Sequence, residues 1–139
     1  MTTRLKVITE AKSWLGTPYH QQASVKGAGV DCAYLLMCVY HEVGLTEMPD
    51  VGNYASDWHL HRSEEQYLSW VQKYAKRTEN PQTGDIALFK FGRCVSHGAI
   101  VLTQDTVIHS YIGLGCVISS LTDNELSGRL DSFWTLWDK

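Results

Sequence analysis

The sequence predicts an α+β fold, with helices in the first half of the chain and an antiparallel sheet of about five strands in the second. Three observations carry this. Before residue 78 the apolar residues recur at helical spacing in three separate segments. After "NPQTGD" (80–85) the runs become short, β-branched or aromatic, and are divided by turn residues. The two patterns follow one another instead of alternating, which favours a meander over a parallel sheet with crossover helices.

The first helix spans 4–15, "RLKVITEAKSWL", with Leu5, Ile8, Ala11 or Lys12, and Leu15 at helical spacing. Gly16 follows as a cap and Pro18 as a stop. "GTPYHQQASVKGAGV" (16–30) then reads as a loop, long enough to suggest a functional segment. Asp31 is a fair N-cap for a second helix that runs to Val43 and ends at Gly44. Residues 46–62 read as irregular. "SEEQYLSWVQKYAKR" (63–77) opens with a Ser63–Gln66 capping box and carries Tyr67, Trp70, Val71 and Tyr74 on one face. The predicted strands are "IALFKF" (86–91), "HGAIVL" (97–102), "VIHSYI" (107–112), "CVISSL" (116–121) and "FWTLW" (133–137).

With 139 residues, and with no repeat, low-complexity tract or linker, one domain over 1–139 is expected. A net charge of −3 leaves no basic footprint, so neither nucleic acid nor an anionic membrane is an expected partner. No run of about 18 apolar residues and no secretory signal pattern occurs, which predicts a chain that is cytoplasmic when made. Cysteines 32, 38, 94 and 116 form no C-x-x-C pair, and free thiols are expected.

The chemistry centres on Cys32. It shares a helical face with Leu35, Leu36, Val39 and Val43, so it points at whatever that face covers, and the sheet is the only large partner available. As the first helical residue it meets unpaired N–H groups and the helix dipole, which predict a thiol pKa lowered from about 8.5 into a reactive range. The competing reading is an inert cysteine at a core position.

A cysteine nucleophile needs a base, and the base needs an orienter. His97 opens one strand and His109 lies in the next. With a three-residue hairpin loop at 103–105, residue 99 pairs with 109, and the two histidines share a face within side-chain reach. A two-residue loop puts them on opposite faces, and the pattern alone leaves both registers open. His20, His41, His59 and His61 read as loop or solvated positions. Cys38 lies off the core face, Cys94 sits in a "GRCVS" turn, and Cys116 opens a strand. Trp134 and Trp137 read as core aromatics or a terminal strand. A zinc site on Cys32, His97 and His109 is disfavoured because zinc ligands usually come in close-spaced pairs; no metal and no cofactor are expected.

These blocks, "AKSWLGTPY", "GVDC" opening a helix, "PQTGDIALF", "HGAIVL" and "VIHS", resemble in order the signature blocks of the NlpC/P60 family, papain-like cysteine peptidases that cut bacterial cell-wall peptides. "WLGTPYHQQAS" and the terminal "RLDSFW" are similar to a subgroup of short, stand-alone members associated with phage tails. The resemblance implies a papain-like NlpC/P60 fold. It implies Cys32 as nucleophile, His97 as general base and acid, His109 as orienter, and Tyr19 as a donor to the oxyanion hole. Asp31 matches a carboxylate that helps recognise the substrate's free amine.

The family block usually reads Asp-Cys-Ser-Gly, and here it reads Asp31-Cys32-Ala33-Tyr34. Ala33 lacks a pocket-lining hydroxyl, and Tyr34 places a ring where relatives have no side chain, so specificity at these substrate-binding positions is expected to differ. The implied activity is hydrolysis of stem-peptide amides in peptidoglycan, D-glutamyl–diaminopimelate being the family's usual target. The alternatives are a non-catalytic tail, assembly or wall-binding module, and an acyltransferase on the same cysteine. The expected partners are peptidoglycan peptides and phage tail proteins. A phage tail, a secretion apparatus or lysis would deliver the protein to the wall.

Overall fold

A computed structural model describes residues 3–21, 23–46, 63–91 and 94–137. The irregular reading of 47–62, with His59 and His61, lies outside the described residues, as do the side chains of the 63–66 capping box, Tyr67 and Cys94.

Helix α1 (Arg4–Lys12) begins at Thr3, whose hydroxyl accepts the Lys6 N–H. Its buried face is Val7, Ile8 and Ala11, continued by Trp14 just beyond its end. Leu5 and Leu15 are exposed, which corrects the predicted face. The Val7–Ala11–Trp14 spacing aims the larger apolar surface inward. Between the first two helices a short hairpin, β1 (Ser24–Val25) and β2 (Gly29–Val30), occupies the segment read as loop.

Helix α2 (Cys32–Glu42) follows directly. Leu35, Leu36 and Val39 are fully buried, and Cys32 and Val43 are partly buried on the same side. It ends at Gly44 (φ +84), whose N–H bonds the His41 carbonyl while Leu45 bonds Tyr40, an αL stop of the kind glycine favours. Helix α3 (Ser63–Tyr74) buries Trp70 and Val71. It stops earlier than predicted, because Lys76–Thr78 form strand β3 against the C-terminal strand.

Among the described residues the main sheet has six strands in the order β3-β8-β4-β5-β6-β7, all pairs antiparallel. Its further members are β4 (Ile86–Phe91), β5 (Cys94–Val101), β6 (Thr106–Tyr111), β7 (Gly115–Ser120) and β8 (Leu130–Thr135). The α+β expectation holds, and β3 is the strand added to the five. Alternation divides the sheet. Ile86, Leu88, Ile100, Ile108 and Cys116 join the helices in one core, while Ala87, Phe89, Ala99, Val101 and Val107 form a second, closed by Leu126. Trp134 and Trp137 pack against the helical core.

Arg4 ties α1 to the sheet. Its guanidinium lies 2.7 Å from the Asp85 carboxylate and stacks 4.2 Å from the centre of the Trp137 ring.

Candidate active site

The β5–β6 ladder is short. Its register pairs are Ile100↔Ile108 and Val101↔Val107, although β5 begins at Cys94 and β6 continues to Tyr111. The strands therefore part, and the first turn of α2, which packs on both, meets β5 in the opening. Asp31 starts that turn, buried, with Oδ1 accepting the Tyr34 N–H at 2.8 Å. The Cys32 thiol donates to the Ser96 carbonyl in a long contact of 3.9 Å, and the backbone N–H of Gly98 also interacts with the sulfur. Cys32 thus touches the main chain on both sides of His97.

His97 and His109 are buried, and Nε2 of the first lies 2.7 Å from Nδ1 of the second. The register explains the meeting. Leu102 N–H bonds the Thr106 carbonyl, so the hairpin loop is 103–105, the three-residue alternative that sets both histidines on one face. Phe89, Phe91 and Tyr111 surround the His97 ring at 5.6 to 5.8 Å between centroids. Burial, and then the neighbouring His109, push the His97 pKa down to about 3. Burial pushes His109 down to about 4, against the opposing pull of Glu125 and Asp123. Both rings are neutral at pH 7.

The expected acidic thiol is corrected. Burial, and then the Asp31 charge, push the Cys32 thiol up to about 12. The N–H groups of Gly98, Ala33 and Cys32 act in the opposite direction and are outweighed. A helix terminus contributes about 0.3–1 kcal/mol at an exposed position, less than the desolvation of a sulfur anion inside a protein. Both directions favour an uncharged thiol and an uncharged imidazole at rest.

Tyr19 is set by its loop. Gly16 and Thr17 exchange backbone hydrogen bonds with Cys116 of β7 at 3.0 and 2.8 Å. Pro18 and His20 bond Val30 on the other side, which aligns Tyr19 beside β2. The Tyr19 phenol is raised above its usual pKa by burial, then by Cys32 and Asp31, so it stays protonated as a donor next to the cysteine. Gly115 (φ +78) makes this docking possible, because a Cβ there would stand 2.7 Å from the Thr17 carbonyl.

Ala33 and Tyr34 are half-buried and pack against the helical core. His20 and His41 are exposed, Cys38 is half-buried and Cys116 is buried in β7. Among the described residues, no group of three or more His, Cys, Asp or Glu side chains is arranged to hold a metal ion.

The family model of NlpC/P60 matches residues 16–135. The chain belongs to the NlpC/P60 family. A comparison with curated proteins found no match. Among solved structures, the chain is similar to the NlpC/p60 domain of the peptidoglycan hydrolase SagA, at 18% identity and TM-score 0.63, covering 96% of this chain and 98% of that one. It is also similar to NlpC/P60 proteins from Bacillus cereus (21% identity, TM-score 0.66, 94% of this chain) and Staphylococcus aureus (20%, 0.68, 98%). It spans only 39% and 42% of those two chains. At such identities the likeness speaks for the fold: an NlpC/P60 arrangement of helices on an antiparallel sheet.

Sequence reasoning missed the groups behind the histidines. His109 Nε2 lies 2.8 Å from Ser119 Oγ, and Ser119 donates to Glu125 Oε2 at 3.0 Å. Ser119 was within reach of the pattern, since Val107↔Ser119 and His109↔Val117 are paired, which puts Ser119 diagonal to His109. Glu125 lies in the connection after β7, where no periodicity signals a position.

Proposed function

We propose that this NlpC/P60 chain is a cysteine peptidase that hydrolyses amide bonds in peptidoglycan stem peptides, with Cys32 as nucleophile, His97 as general base and acid, and His109 as orienter. The observation that carries the reading is the buried His97–His109 hydrogen bond on the strand whose backbone meets the Cys32 sulfur. The SagA domain, a peptidoglycan hydrolase by name, supports the substrate class.

Because thiol and imidazole rest uncharged, attack couples to proton transfer. Sγ bonds to the scissile carbonyl carbon as its proton passes to His97. The Tyr19 hydroxyl is the donor for the oxyanion. His97 then protonates the leaving amine, the C–N bond breaks, and a thioester remains on Cys32. Water, deprotonated by His97, attacks the thioester and releases the acid and the free thiol. Asp31 is the candidate partner for a free amine on the substrate, and Ala33 and Tyr34 shape the pocket beside it. The D-glutamyl–diaminopimelate bond, and delivery by a phage tail, a secretion apparatus or lysis, are parts of the proposal that rest on family resemblance.

The test is digestion of purified peptidoglycan by wild type and Cys32→Ala, with released peptides weighed by mass spectrometry. Fragments from the wild type alone support the reading, and their masses name the bond. No fragments from either, or equal fragments from both, overturn it.

A further inference from the structure

We propose that Glu125, acting through Ser119, is a positioning residue that dictates which nitrogen of His109, and through it of His97, carries the proton. The consequence for catalysis rests on the peptidase reading above; the proton positions do not.

Three consecutive hydrogen bonds link the groups. Glu125 Oε2 and Ser119 Oγ are 3.0 Å apart, Ser119 Oγ and His109 Nε2 2.8 Å, and His109 Nδ1 and His97 Nε2 2.7 Å. An ionised carboxylate only accepts, so the single Ser119 proton goes to Glu125. Ser119 Oγ must then accept, and His109 carries its proton on Nε2. A neutral His109 is therefore bare at Nδ1 and accepts from His97 Nε2–H. A neutral His97 is in turn bare at Nδ1, the nitrogen left to serve as base. Each step follows from the one before because both rings are uncharged, and Ser119 and His109 are buried.

The chain placing Glu125 is itself anchored. Leu126 is fully buried in the second core, and the Asp123 carboxylate accepts the Ser120 N–H while its carbonyl accepts from Leu126 and Ser127. The carboxylate thus reaches Ser119 from a fixed segment. Its charge also favours the imidazolium when a proton arrives during turnover, as does that of Asp123.

The experiment reads proton positions directly, by long-range 15N–1H correlation of the imidazoles in the intact protein without substrate. Wild type is expected to show the Nε2–H form of His109 and of His97. In Glu125→Gln the amide can donate to Ser119, which then donates to His109 Nε2, so both rings shift toward Nδ1–H. Ser119→Ala is expected to mix the forms, and Ser119→Thr, which keeps the hydroxyl, to retain the wild-type form. Peptide release by Glu125→Gln is expected to fall about 10- to 100-fold, in kcat more than in KM. An Nδ1–H form of His109 in wild type overturns the proposal, as do unchanged forms in a folded Glu125→Gln. Should Glu125→Gln not fold, the Ser119→Ala and Ser119→Thr pair carries the same readout. Wild-type protein with the expected proton positions but no cleavage would sink the peptidase reading and leave this one standing.

Discussion

Asp31 and Cys32 are neighbours that oppose each other: the carboxylate that caps α2 through the Tyr34 N–H also sets a negative charge against the adjacent sulfur. One side chain stabilises the helix and restrains the thiol. Asparagine caps a helix about as well as aspartate and carries no charge. Asp31→Asn should therefore keep the fold and lower the thiol pKa. Iodoacetamide should label Cys32 severalfold faster in this variant at pH 8, with the melting temperature nearly unchanged. An equal or slower rate would show that the charge does not hold the thiol protonated.

The histidine pair makes acid the weak side of the protein. In the unfolded chain each ring takes a proton near pH 6.5, while the native rings resist it until about pH 3 and 4. Unfolding is thus favoured by protons over that window. The histidine contribution is complete above pH 6.5 and is lost as the pH falls toward 4. His109 alone corresponds to a loss on the order of 3 kcal/mol. Urea midpoints at pH 7.5 and 4.5 measure this, and a His97→Gln, His109→Gln double variant should show a smaller drop than wild type. An equal drop in both proteins would remove the histidines as its cause.

Gly115 tests how the Tyr19 loop is held. Gly115→Ala adds a methyl facing the Thr17 carbonyl at a backbone angle that L residues rarely adopt. The strained conformation alone costs about 1–3 kcal/mol. Chemical denaturation should show at least that loss, and peptide release should fall further than stability explains if Tyr19 is the proposed oxyanion donor, because its loop shifts. A variant as stable as wild type would contradict the tight docking described.

The Arg4–Asp85 pair is a structural clasp remote from the histidines in sequence. Asp85 is almost fully buried and accepts both Arg4 and the Gln82 N–H. Arg4→Met leaves that carboxylate without its cation, a change that costs about 3–5 kcal/mol for buried pairs. Thermal unfolding of Arg4→Met and of Arg4→Met with Asp85→Asn should show the second change recovering part of the loss. No recovery would assign the effect to lost Arg4–Trp137 stacking instead.

Much of the fold was legible because the hydrophobic period changes at "NPQTGD", and the α2 face, with Trp70 and Val71 of α3, followed from spacing alone. What was missed depended on partners far along the chain. Lys76–Thr78 look like the charged tail of a helix and become β3 because Phe133–Thr135 lie alongside. Leu5 looks like a core residue, yet Val7, Ala11 and Trp14 present more apolar surface inward. The meeting of His97 and His109 hinged on a hairpin loop of three residues, which the pattern allowed but could not select. The acidic thiol was expected from the helix terminus; burial by the rest of the fold, and then the charge of the adjacent Asp31, reversed its direction. Ser119 and Glu125 stayed hidden because a relay is defined by hydrogen bonds across the fold.

The most direct test of the central claim is the intact mass of the protein after acid quenching during peptidoglycan digestion. Wild type is predicted to carry an adduct with the mass of the acyl half of a stem peptide, mapped to Cys32, with none on Cys32→Ala and no fragments released by that variant. Fragments released equally by Cys32→Ala would contradict nucleophilic catalysis by this cysteine.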